Sequence, residues 1–333
     1  MLNYNGDKWI KDCIGSLKEQ TCRDFEAIVV DNASSDNSAD FVRKNCPEIR
    51  LIANSDNKGY AAANNLAAKE AGGEYLFFIN NDLKLDPKCI ESLVNKADED
   101  KTTVIHGCYF YSYDGKEDLY KGKWLGMDPV GCPLPSNKMF YADGAAFFVS
   151  REIFGLLGGF DNDHFMFAED IDLCWRAWIA GFKVAGVKDA VVFHEGGGTA
   201  GGSIVRNAQH ETSVFRRYCT ERNTLVNLIK NYSLISLIFI IPVYIILYLL
   251  QILLFLCLLR FKVVWDVYLR SAAYVVVNLG NILRKRGKVG RLRRVSDLTV
   301  FMNITFSIAK IKLLFLIGVP KIKQSRTSGE KAG

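Results

Sequence analysis

Apolar and polar positions in the first hundred residues follow two periods, one typical of strands and one typical of helices. Short apolar runs at 25–30, 49–52 and 75–79 are bounded by polar turns, as expected for buried parallel strands. Between the runs, the Ala-rich stretch 61–71 favours a helix that the following glycines end. Strands that alternate with helices predict an α/β fold with a mostly parallel central sheet.

From residue 103 the pattern changes to short strands, glycines, prolines and aromatic residues. We expect a strand at 145–149, a helix at 170–180, and a final pair of strands at 182–187 and 190–194. These elements complete a predicted domain that covers residues 1–230.

A Gly-rich segment at 196–202 follows the last predicted strand. Gly196, Gly198 and Gly201 satisfy G-x-G-x-x-G, but a dinucleotide site also requires a second βαβ unit, which the sequence does not offer. We therefore predict a mobile lid here, since glycines ease loop closure.

An apolar run at 234–259 contains no charged residue and is long enough to cross a hydrocarbon core of roughly 30 Å as a helix. We predict that residues 231–262 form a transmembrane or re-entrant helix. Residues 263–333 are predicted as a basic amphipathic segment, a second apolar stretch at 298–319 that Lys310 and Lys312 interrupt, and a polar tail. The C-terminal helices are thus expected to be membrane-associated.

Charge divides the chain into two parts with different surroundings. Residues 1–215 carry 22 Lys/Arg against 32 Asp/Glu, whereas residues 216–333 carry 20 against 4. A basic half with long uncharged runs favours membrane lipids over nucleic acid as its partner. Basic residues flank the apolar run on both sides, so its orientation stays open. Either both apolar runs cross the membrane, or the run at 234–259 re-enters or lies partly in the interface.

Two features predict the cytoplasmic face of the cell membrane for the first 230 residues. The N-terminus has neither the basic region nor the apolar region of a signal peptide. The nine cysteines form no Cys-x-x-Cys pair, which indicates reduced thiols instead of a zinc site or a disulfide framework.

Three clusters of carboxylate and amide side chains follow predicted strands or begin a predicted helix. They are Asp31-Asn32, Asn80-Asn81-Asp82, and Glu169-Asp170 with Asp172. In open α/β sheets, ligands bind at the carboxyl ends of the strands. Each cluster alone also fits a structural role: a helix cap for the first, a turn for the second, and a favourable macrodipole interaction for the third.

The functional interpretation assigns a different chemistry to each cluster. Asp31 can accept hydrogen bonds from a nucleobase or ribose, and Asp82 is a hard oxygen ligand for Mg²⁺ or Mn²⁺ on a diphosphate. One carboxylate of the third cluster can deprotonate an acceptor hydroxyl, and its neighbours can hold acceptor hydroxyls. His194, at the end of a strand, is placed to contact a diphosphate or its metal.

Seven sequence pieces occur in a fixed order over roughly residues 1–230. They are Asn3-Tyr4-Asn5-Gly6, 30–36, 57–65, Asn80-Asn81-Asp82, Asp143-Gly144-Ala145, 167–176 and 194–199. In this order and spacing they resemble glycosyltransferase family 2 with the GT-A nucleotide-sugar-binding fold, and within it the rhamnosyltransferase-like, membrane-associated members. Two departures are visible: Asn80 stands at the first position of the family's DxD motif, and only Met1 and Leu2 precede the first piece.

The resemblance implies a role for each matching position. Asp170 would be the general base, with Glu169 beside it, and Asp82 and His194 would hold the metal. The donor would be bound by Asn3, Asn5, Asp31, Asn32, Gly59, Asn64, Asn80 and Asn81. The acceptor side would be formed by Asp143, Gly144, Asp172 and Trp175.

The resemblance also implies a reaction. We expect inverting, metal-dependent transfer of one sugar from a dTDP-, UDP- or GDP-sugar to a hydroxyl of a lipid-linked glycan acceptor at the cytoplasmic membrane face. The Q-x-x-R-W motif of processive synthases is absent from the sequence, which favours one sugar per encounter. The alternatives are a polyprenyl-phosphate glycosyl synthase, a catalytically silent nucleotide-sugar-binding scaffold in the membrane, and a nucleotidyltransferase.

Overall fold

The computed structural model describes residues 1–196, 204–206 and 209–323 of the chain. The strands are β1 (Leu2–Asn3), β2 (Ile28–Asp31), β3 (Arg50–Ala53), β4 (Tyr75–Ile79), β5 (Leu83–Leu85), β6 (Thr103–Ser112), β7 (Trp124–Met127), β8 (Pro133–Ser136), β9 (Ala146–Ser150), β10 (Lys183–His194), β11 (Ile204–Arg206), β12 (Gln209–Ser213) and β13 (Lys321–Lys323). The helices of the N-terminal part are α1 (Ile10–Lys18), α2 (Ser38–Asn45), α3 (Gly59–Glu70), α4 (Cys89–Glu99), α5 (Arg151–Leu157) and α6 (Glu169–Ile179).

The described helices after α6 are α7 (Val214–Asn231), α8 (Leu234–Cys257), α9 (Phe261–Val263), α10 (Arg270–Val277), α11 (Leu279–Leu292), α12 (Asp297–Phe301) and α13 (Ala309–Ile317). A 3₁₀ turn at Asn162–His164 precedes α6, and a π-helix at Val264–Leu269 joins α9 to α10. The predicted polar tail continues beyond residue 323, outside the described residues.

Two sheets share the N-terminal domain. Strands β1, β2 and β3 form a parallel sheet, and a five-stranded sheet has the order β4-β9-β6-β10-β5. A parallel bridge between Leu2 and Asn80 connects the end of the first sheet to the end of β4. The carboxyl ends of β1, β2 and β4 therefore meet at one edge, where the first two predicted clusters lie.

The prediction of a mostly parallel central sheet is wrong for the five-stranded sheet. Only β6 and β10 pair in parallel, whereas β9 is antiparallel to β4 and β6, and β5 is antiparallel to β10. The alternation of strands and helices that predicts parallel pairing ends at residue 103, and no helix separates β4 from β5. The fold is α/β with a mixed sheet.

The predicted pair of strands at 182–194 is a single strand, β10. Its register against β6 shifts between Gly186 and Val191, around the exposed residues Lys188 and Asp189. A bulge accommodates these polar residues without ending the strand.

The C-terminal helices pack on the same hydrophobic core as the five-stranded sheet. Trp175 of α6 is fully buried, and its ring lies 4.6 Å from the ring of Tyr232, at the end of α7. Tyr244 and Phe255 of α8 belong to the same cluster. The helices after residue 213 thus help to build the domain that carries the candidate site.

By length and composition, one helix within the described ranges could cross a membrane. This is α8, with 24 residues and a mean hydropathy of 2.7. The second apolar stretch at 298–319 is divided into α12 and α13, and the 9 residues of α13 extend over only about 14 Å. Neither helix of that stretch alone has the length of α8.

Candidate active site

A cleft of about 350 Å³ opens where β4 and β10 end and α6 begins. Six of the predicted site residues line it together with the backbone of Gly144: Asn80, Asp82, Asp143, Glu169, Asp170 and His194. These residues come from four separate stretches of the chain, and the sheet topology brings them together.

Asp170 lies in the first turn of α6, at the acidic end of the cleft. Its Oδ1 accepts a hydrogen bond from the Ile171 amide at 2.7 Å, and its Oδ2 accepts one from the Gly144 amide at 3.0 Å. Burial and the negative charge of Asp143 raise the pKa of Asp170 to about 7. A carboxylate with that pKa is ionised in part at neutral pH and can accept a proton from a hydroxyl.

Glu169, the neighbour of Asp170, also has a raised pKa. Burial, followed by the charge of Asp170, raises the pKa of Glu169 well above its ordinary value. Its Oε2 is buried and has no hydrogen-bond partner among the described residues. The side chain therefore binds a proton more readily than an ordinary glutamate and has a free hydrogen-bonding atom at the cleft.

Asp82 and His194 form the other end of the cleft. The Asp82 Oδ1 is buried without a hydrogen bond within the described part of the chain, and it lies 3.5 Å from His194 Nε2. Burial lowers the pKa of His194, but the Asp82 carboxylate outweighs this effect and raises it. An orphaned carboxylate oxygen beside an imidazole nitrogen is a donor set that suits a divalent cation.

Four predicted donor-binding residues have amide side chains that are buried and hydrogen-bonded within the protein. Asn3 is fully buried, donates to the Asp31 carboxylate at 2.7 Å, and accepts from Asn81 at 2.7 Å. Asn32 holds the loop at 54–59 through four hydrogen bonds, and Asn64 donates to the Tyr60 carbonyl. In this structure these four side chains hold the protein's own loops, and the donor-binding role that the resemblance implies stays a prediction.

The remaining donor-side predictions lie along the same edge. Asp31 accepts hydrogen bonds from Asn3 and from the Ser34 hydroxyl and amide, and its carboxylate keeps further acceptor sites. Asn5 caps the same turn, because its Oδ1 accepts from the Ser35 amide at 2.8 Å. The hydrogen bond between Asn3 and Asn81 connects the turn that contains Asp31 and Asn5 to the turn at Asn80–Asp82.

Gly59 meets the loop before α6. Its φ is +76°, and a Cβ on this residue would lie 2.5 Å from the Phe165 carbonyl oxygen. Only glycine permits this close approach in the left-handed region. Gly59 therefore supports the loop that carries the acidic pair. The resemblance implied that Gly59 contacts the donor.

Asp172 and Trp175, predicted on the acceptor side, do not line the cleft. Both are fully buried. Asp172 forms ion pairs with Arg176 at 2.7 Å and Lys230 at 2.9 Å, and Trp175 packs on Tyr232.

The loop that precedes α6 has an uncommon backbone. Phe165, Phe167 and Ala168 all have positive φ values, between 60° and 70°. Non-glycine residues in this region cost of order 1–3 kcal/mol each and persist where the surroundings hold them. The strain is located directly before the acidic pair.

Helix α7 holds this loop through buried amide side chains that the sequence interpretation missed. Asn223 Nδ2 donates to the carbonyls of His164, Met166 and Phe167 at 3.0, 3.1 and 2.7 Å. Asn227 donates to the Ala168 carbonyl at 2.9 Å and bonds to His164 Nε2 at 2.8 Å. The repeat of Asn at positions 223, 227 and 231 was the available signal, because this spacing places three amides on one helix face.

A cation from α7 also lies at the cleft. Arg216 lines it, and its guanidinium is stacked over the Phe167 ring at 4.6 Å. Burial lowers the pKa of Arg216, an effect that the nearby carboxylates, led by Asp143, oppose. The Gly-rich segment predicted as a lid falls mainly on residues 197–202, outside the described residues.

A mixed α/β sheet with a carboxylate–histidine pair and an acidic helix start at one edge defines the GT-A class of glycosyltransferase fold. Residues 1–158 match the sequence model of Glycosyl transferase family 2. This match covers 158 of the 333 residues, and it agrees with the resemblance found in the sequence.

Relatives of known name include two bacterial glycosyltransferases. The chain is 31% identical over 128 residues to Glycosyltransferase GlyG of Streptococcus pneumoniae, covering 38% of this chain and 42% of the relative. It is 25% identical over 229 residues to the N-acetylglucosaminyl-diphospho-decaprenol L-rhamnosyltransferase of Mycobacterium tuberculosis, covering 58% and 74%. The chain thus spans less than half of the length of GlyG.

Solved structures support the fold. TarS 1-349 of S. aureus in complex with UDP has a TM-score of 0.50 at 17% identity, covering 70% of this chain and 65% of that chain. GalNAc-T7 with UDP, GalNAc and Mn²⁺ has a TM-score of 0.50 at 16% identity, covering 58% and 42%. At this identity the likeness concerns the fold alone.

Proposed function

We propose that the chain transfers a sugar from a nucleoside-diphosphate-sugar to a hydroxyl of a lipid-linked glycan at the cytoplasmic membrane face, with inversion at the anomeric carbon. The observation that carries the proposal is that one cleft contains both a candidate metal-binding pair and a candidate general base. Asp82 and His194 lie at one end, and Asp170, with its raised pKa, lies at the other.

The donor would bind along the edge where β1, β2 and β4 end. Asp31 is placed for the nucleobase or ribose, because its carboxylate is held by Asn3 and Ser34 and keeps acceptor capacity. Asn80 lies between this edge and the cleft. The diphosphate would then reach Asp82 and His194.

Asp82 and His194 would hold Mg²⁺ or Mn²⁺. Among the described residues, no group of three or more His, Cys, Asp or Glu side chains could hold a metal ion. Two protein ligands still suit these cations, which are commonly bound through one or two carboxylates together with substrate phosphates and water. When bound, such a cation neutralises negative charge on the leaving diphosphate.

Asp170 would act as the general base. The acceptor hydroxyl attacks the anomeric carbon from the side opposite the diphosphate; the new glycosidic bond forms as the bond to the diphosphate breaks. Asp170 takes the hydroxyl proton, and the diphosphate leaves with the bonding electron pair. In its protonated form, which the raised pKa favours, Glu169 would donate a hydrogen bond to an oxygen of the acceptor or the sugar.

The lipid-linked acceptor is supported by two properties of this chain and one relative. The apolar helix α8 packs directly on the domain that holds the cleft, and the last 118 residues are strongly basic. The M. tuberculosis relative is named for a diphospho-decaprenol acceptor. A membrane position would present such an acceptor to the cleft.

The test is release of nucleoside diphosphate by the full chain in detergent with membrane lipid extract. We would screen dTDP-, UDP- and GDP-sugars with Mg²⁺ or Mn²⁺. Release from one donor should stop with EDTA, and Asp170→Asn should lower it about 10²–10⁴-fold. Asp40→Asn, an exposed carboxylate on α2, is the matched control and should retain the wild-type rate.

Two outcomes would contradict the proposal. Release of inorganic pyrophosphate, with a nucleotide joined to the acceptor, would identify nucleotidyl transfer instead. Metal-dependent donor binding without turnover, in the presence of the lipid extract, would identify a silent binder.

A further inference from the structure

Helix α8 contacts the rest of the protein along its whole length. Leu237 and Ile240 near its start, Tyr244 and Tyr248 in its middle, and Phe255 near its end all pack on the core of the catalytic domain. These positions recur at intervals of three, four or seven residues, so they form one continuous stripe on the helix.

Polar contacts fix the helix at several points along the same stripe. At the start, the Ser233 amide donates to Asp297 Oδ2 of α12 at 2.7 Å. In the middle, the Tyr248 hydroxyl donates to the Tyr268 carbonyl at 2.6 Å. Beyond the end, Arg260 donates to the Pro320 carbonyl at 3.3 Å. The helix therefore lies along the body and does not project from it.

The opposite face of α8 is apolar and exposed throughout. Ile235, Ile238, Ile246, Leu250 and Leu253 are each more than half exposed. At 1.5 Å per residue this face is about 36 Å long. A monomeric soluble protein rarely exposes a continuous apolar strip of that size.

Neighbouring elements enlarge the apolar face. Helix α13 lies beside α8, since Lys310 donates to Gln251 Oε1 at 3.1 Å. Phe315 of α13, and Phe261 and Trp265 just after α8, are largely exposed as well. We refer to the exposed face of α8 together with these three residues as the apolar surface.

A crossing of the bilayer by α8 conflicts with the contacts at its middle. The Tyr244 hydroxyl lies 3.3 Å from the Glu221 carboxylate, which also pairs with Arg217 at 2.9 Å and Lys310 at 2.7 Å. If α8 spanned the hydrocarbon core, these charges would lie near its midplane, where ionisable groups are costly.

The catalytic cleft would be submerged by the same crossing. Glu221 is flanked on α7 by Thr220 and Thr224, and both threonines line the cleft. The cleft and the middle of α8 are therefore at the same height along the helix axis. A water-soluble nucleotide donor cannot enter a site at the bilayer midplane.

We propose that α8 lies in the plane of the membrane, with the apolar surface inserted into one leaflet of an anionic bilayer and the catalytic domain above it. The charge balance supports this partner: residues 216–333 carry 20 Lys/Arg against 4 Asp/Glu. Exposed Arg260, Lys262 and Lys312 border the apolar surface, where lipid phosphates would meet them. The inference rests on the membrane position in the proposed function and specifies its geometry.

The test is a depth profile with nitroxide spin labels on cysteines introduced one at a time at Leu234, Ile246 and Leu256, in full-length chains carrying Cys22→Ser and Cys257→Ser; the other native cysteines are buried. The chains are bound to vesicles that contain phosphatidylglycerol, and depth is read from the relative accessibility to oxygen and to a water-soluble nickel chelate. All three labels should show the same shallow depth. A profile with Ile246 deepest and both ends shallow would overturn the proposal in favour of a span.

Two further readouts separate the remaining outcomes. Ile246→Glu should weaken vesicle binding at least tenfold, whereas Leu156→Glu on α5, at 56% exposure against 58% for Ile246, should not. A dimer in which a second copy covers the apolar surface, with labels that never contact lipid, would overturn the proposal. Donor turnover in detergent is measured on the same protein. Absence of turnover would count against the proposed transferase activity, whereas the depth profile would still test the position of α8 in the membrane.

Discussion

Two adjacent carboxyl groups at the start of α6 are held in different environments. Asp170 accepts two backbone amide hydrogen bonds, which favour its ionised form, whereas Glu169 has an unpaired, buried oxygen. Burial raises the pKa of both groups, but the hydrogen bonds limit the effect on Asp170. The two neighbouring carboxyl groups therefore differ in the hydrogen bonds that hold them.

Asp143 sets the pH range in which Asp170 is active. Its negative charge is the second cause, after burial, of the raised pKa of Asp170. A general base works in its ionised form, so activity should fall as the pH drops below about 7. Asp143→Asn removes the charge and should move this acidic limb to lower pH.

The measurement is the pH dependence of kcat/KM for wild type and Asp143→Asn. Asp12→Asn, an exposed carboxylate outside the cleft, is the control and should leave the profile in place. An acidic limb that does not move, or that moves to higher pH, would show that Asp143 does not act on the base.

At this scale the sequence identifies the carboxylates better than the amides. Asp82 and Asp170 are recognisable because a carboxylate at a strand end or helix start faces a predictable edge of the sheet. Asn3 and Asn81 have the same local signal, yet they bond to each other inside the protein. Sequence does not reveal which polar groups find an internal partner, since that depends on residues 78 positions apart.

Helix α7 determines the shape of the loop that carries the acidic pair. The backbone carbonyls of His164, Met166, Phe167 and Ala168 all accept hydrogen bonds from its asparagines. His164 completes the arrangement: burial lowers its pKa to about 4, so the neutral ring donates through Nε2 to Asn227. A strained loop is held in one conformation by a single helix face.

Asn223→Ala should therefore impair catalysis more than donor binding. Three loop carbonyls lose a donor, and a shift of the acidic pair by about 1 Å can lower the rate about 10²-fold. The affinity for nucleoside diphosphate should be unchanged, because Asp82 and His194 are held by other elements. The measurement is kcat and KM for the donor.

Asn45→Ala is the matched control. Asn45 also donates an amide hydrogen bond to a backbone carbonyl, that of Phe41, but it is exposed on α2. A fall in donor affinity as large as the fall in kcat in Asn223→Ala would indicate general loss of structure instead of a role in positioning.

The existence of most elements was predictable, whereas their pairing was not. The strand predicted at 75–79 has those bounds, and the predicted helix at 61–71 is observed as Gly59–Glu70. The apolar pattern of β9 carries no information on strand direction, however, so its antiparallel pairing with β4 and β6 was missed. Local periodicity determines the type of an element, and long-range packing determines its neighbours.

At the scale of the whole molecule, a buried charge network joins the catalytic domain to the C-terminal helices. Lys230 of α7 is 3% exposed and forms ion pairs with Asp161 at 2.6 Å and Asp172 at 2.9 Å. Asp161 also pairs with Lys285 of α11. Burial alone would raise the pKa values of Asp161 and Asp172. The positive charges of the nearby basic side chains have the larger effect and hold both pKa values well below their ordinary range.

Lys230→Ala should destabilise the fold strongly. It leaves two carboxylates buried with fewer cations, and breaking a buried ion pair from one side costs about 3–5 kcal/mol. The measurement is the free energy of unfolding from denaturant titration. Lys18→Ala, in a surface ion pair with Glu48, should leave the midpoint nearly unchanged, and an equally small effect for Lys230→Ala would contradict the role of the network.

The overall division of the chain was predictable only in part. The charge asymmetry and the apolar run indicate two kinds of surroundings. They do not indicate that α7 and α11 pack on the catalytic domain, because Arg222 of α7 and Lys285 of α11 meet partners more than fifty positions away. The boundary predicted at residue 230 separates sequence patterns, whereas the hydrophobic core continues across it.

The central claim is that the two ends of the cleft perform different tasks. The most direct measurement is nucleoside diphosphate affinity, by calorimetry with Mn²⁺, alongside transfer rates for wild type, Asp82→Ala and Asp170→Asn. Asp82→Ala should lose both metal-dependent binding and transfer, whereas Asp170→Asn should bind as wild type does and transfer at about 10²–10⁴-fold lower rate. Full transfer activity in Asp170→Asn, or unchanged metal-dependent binding in Asp82→Ala, would contradict the account.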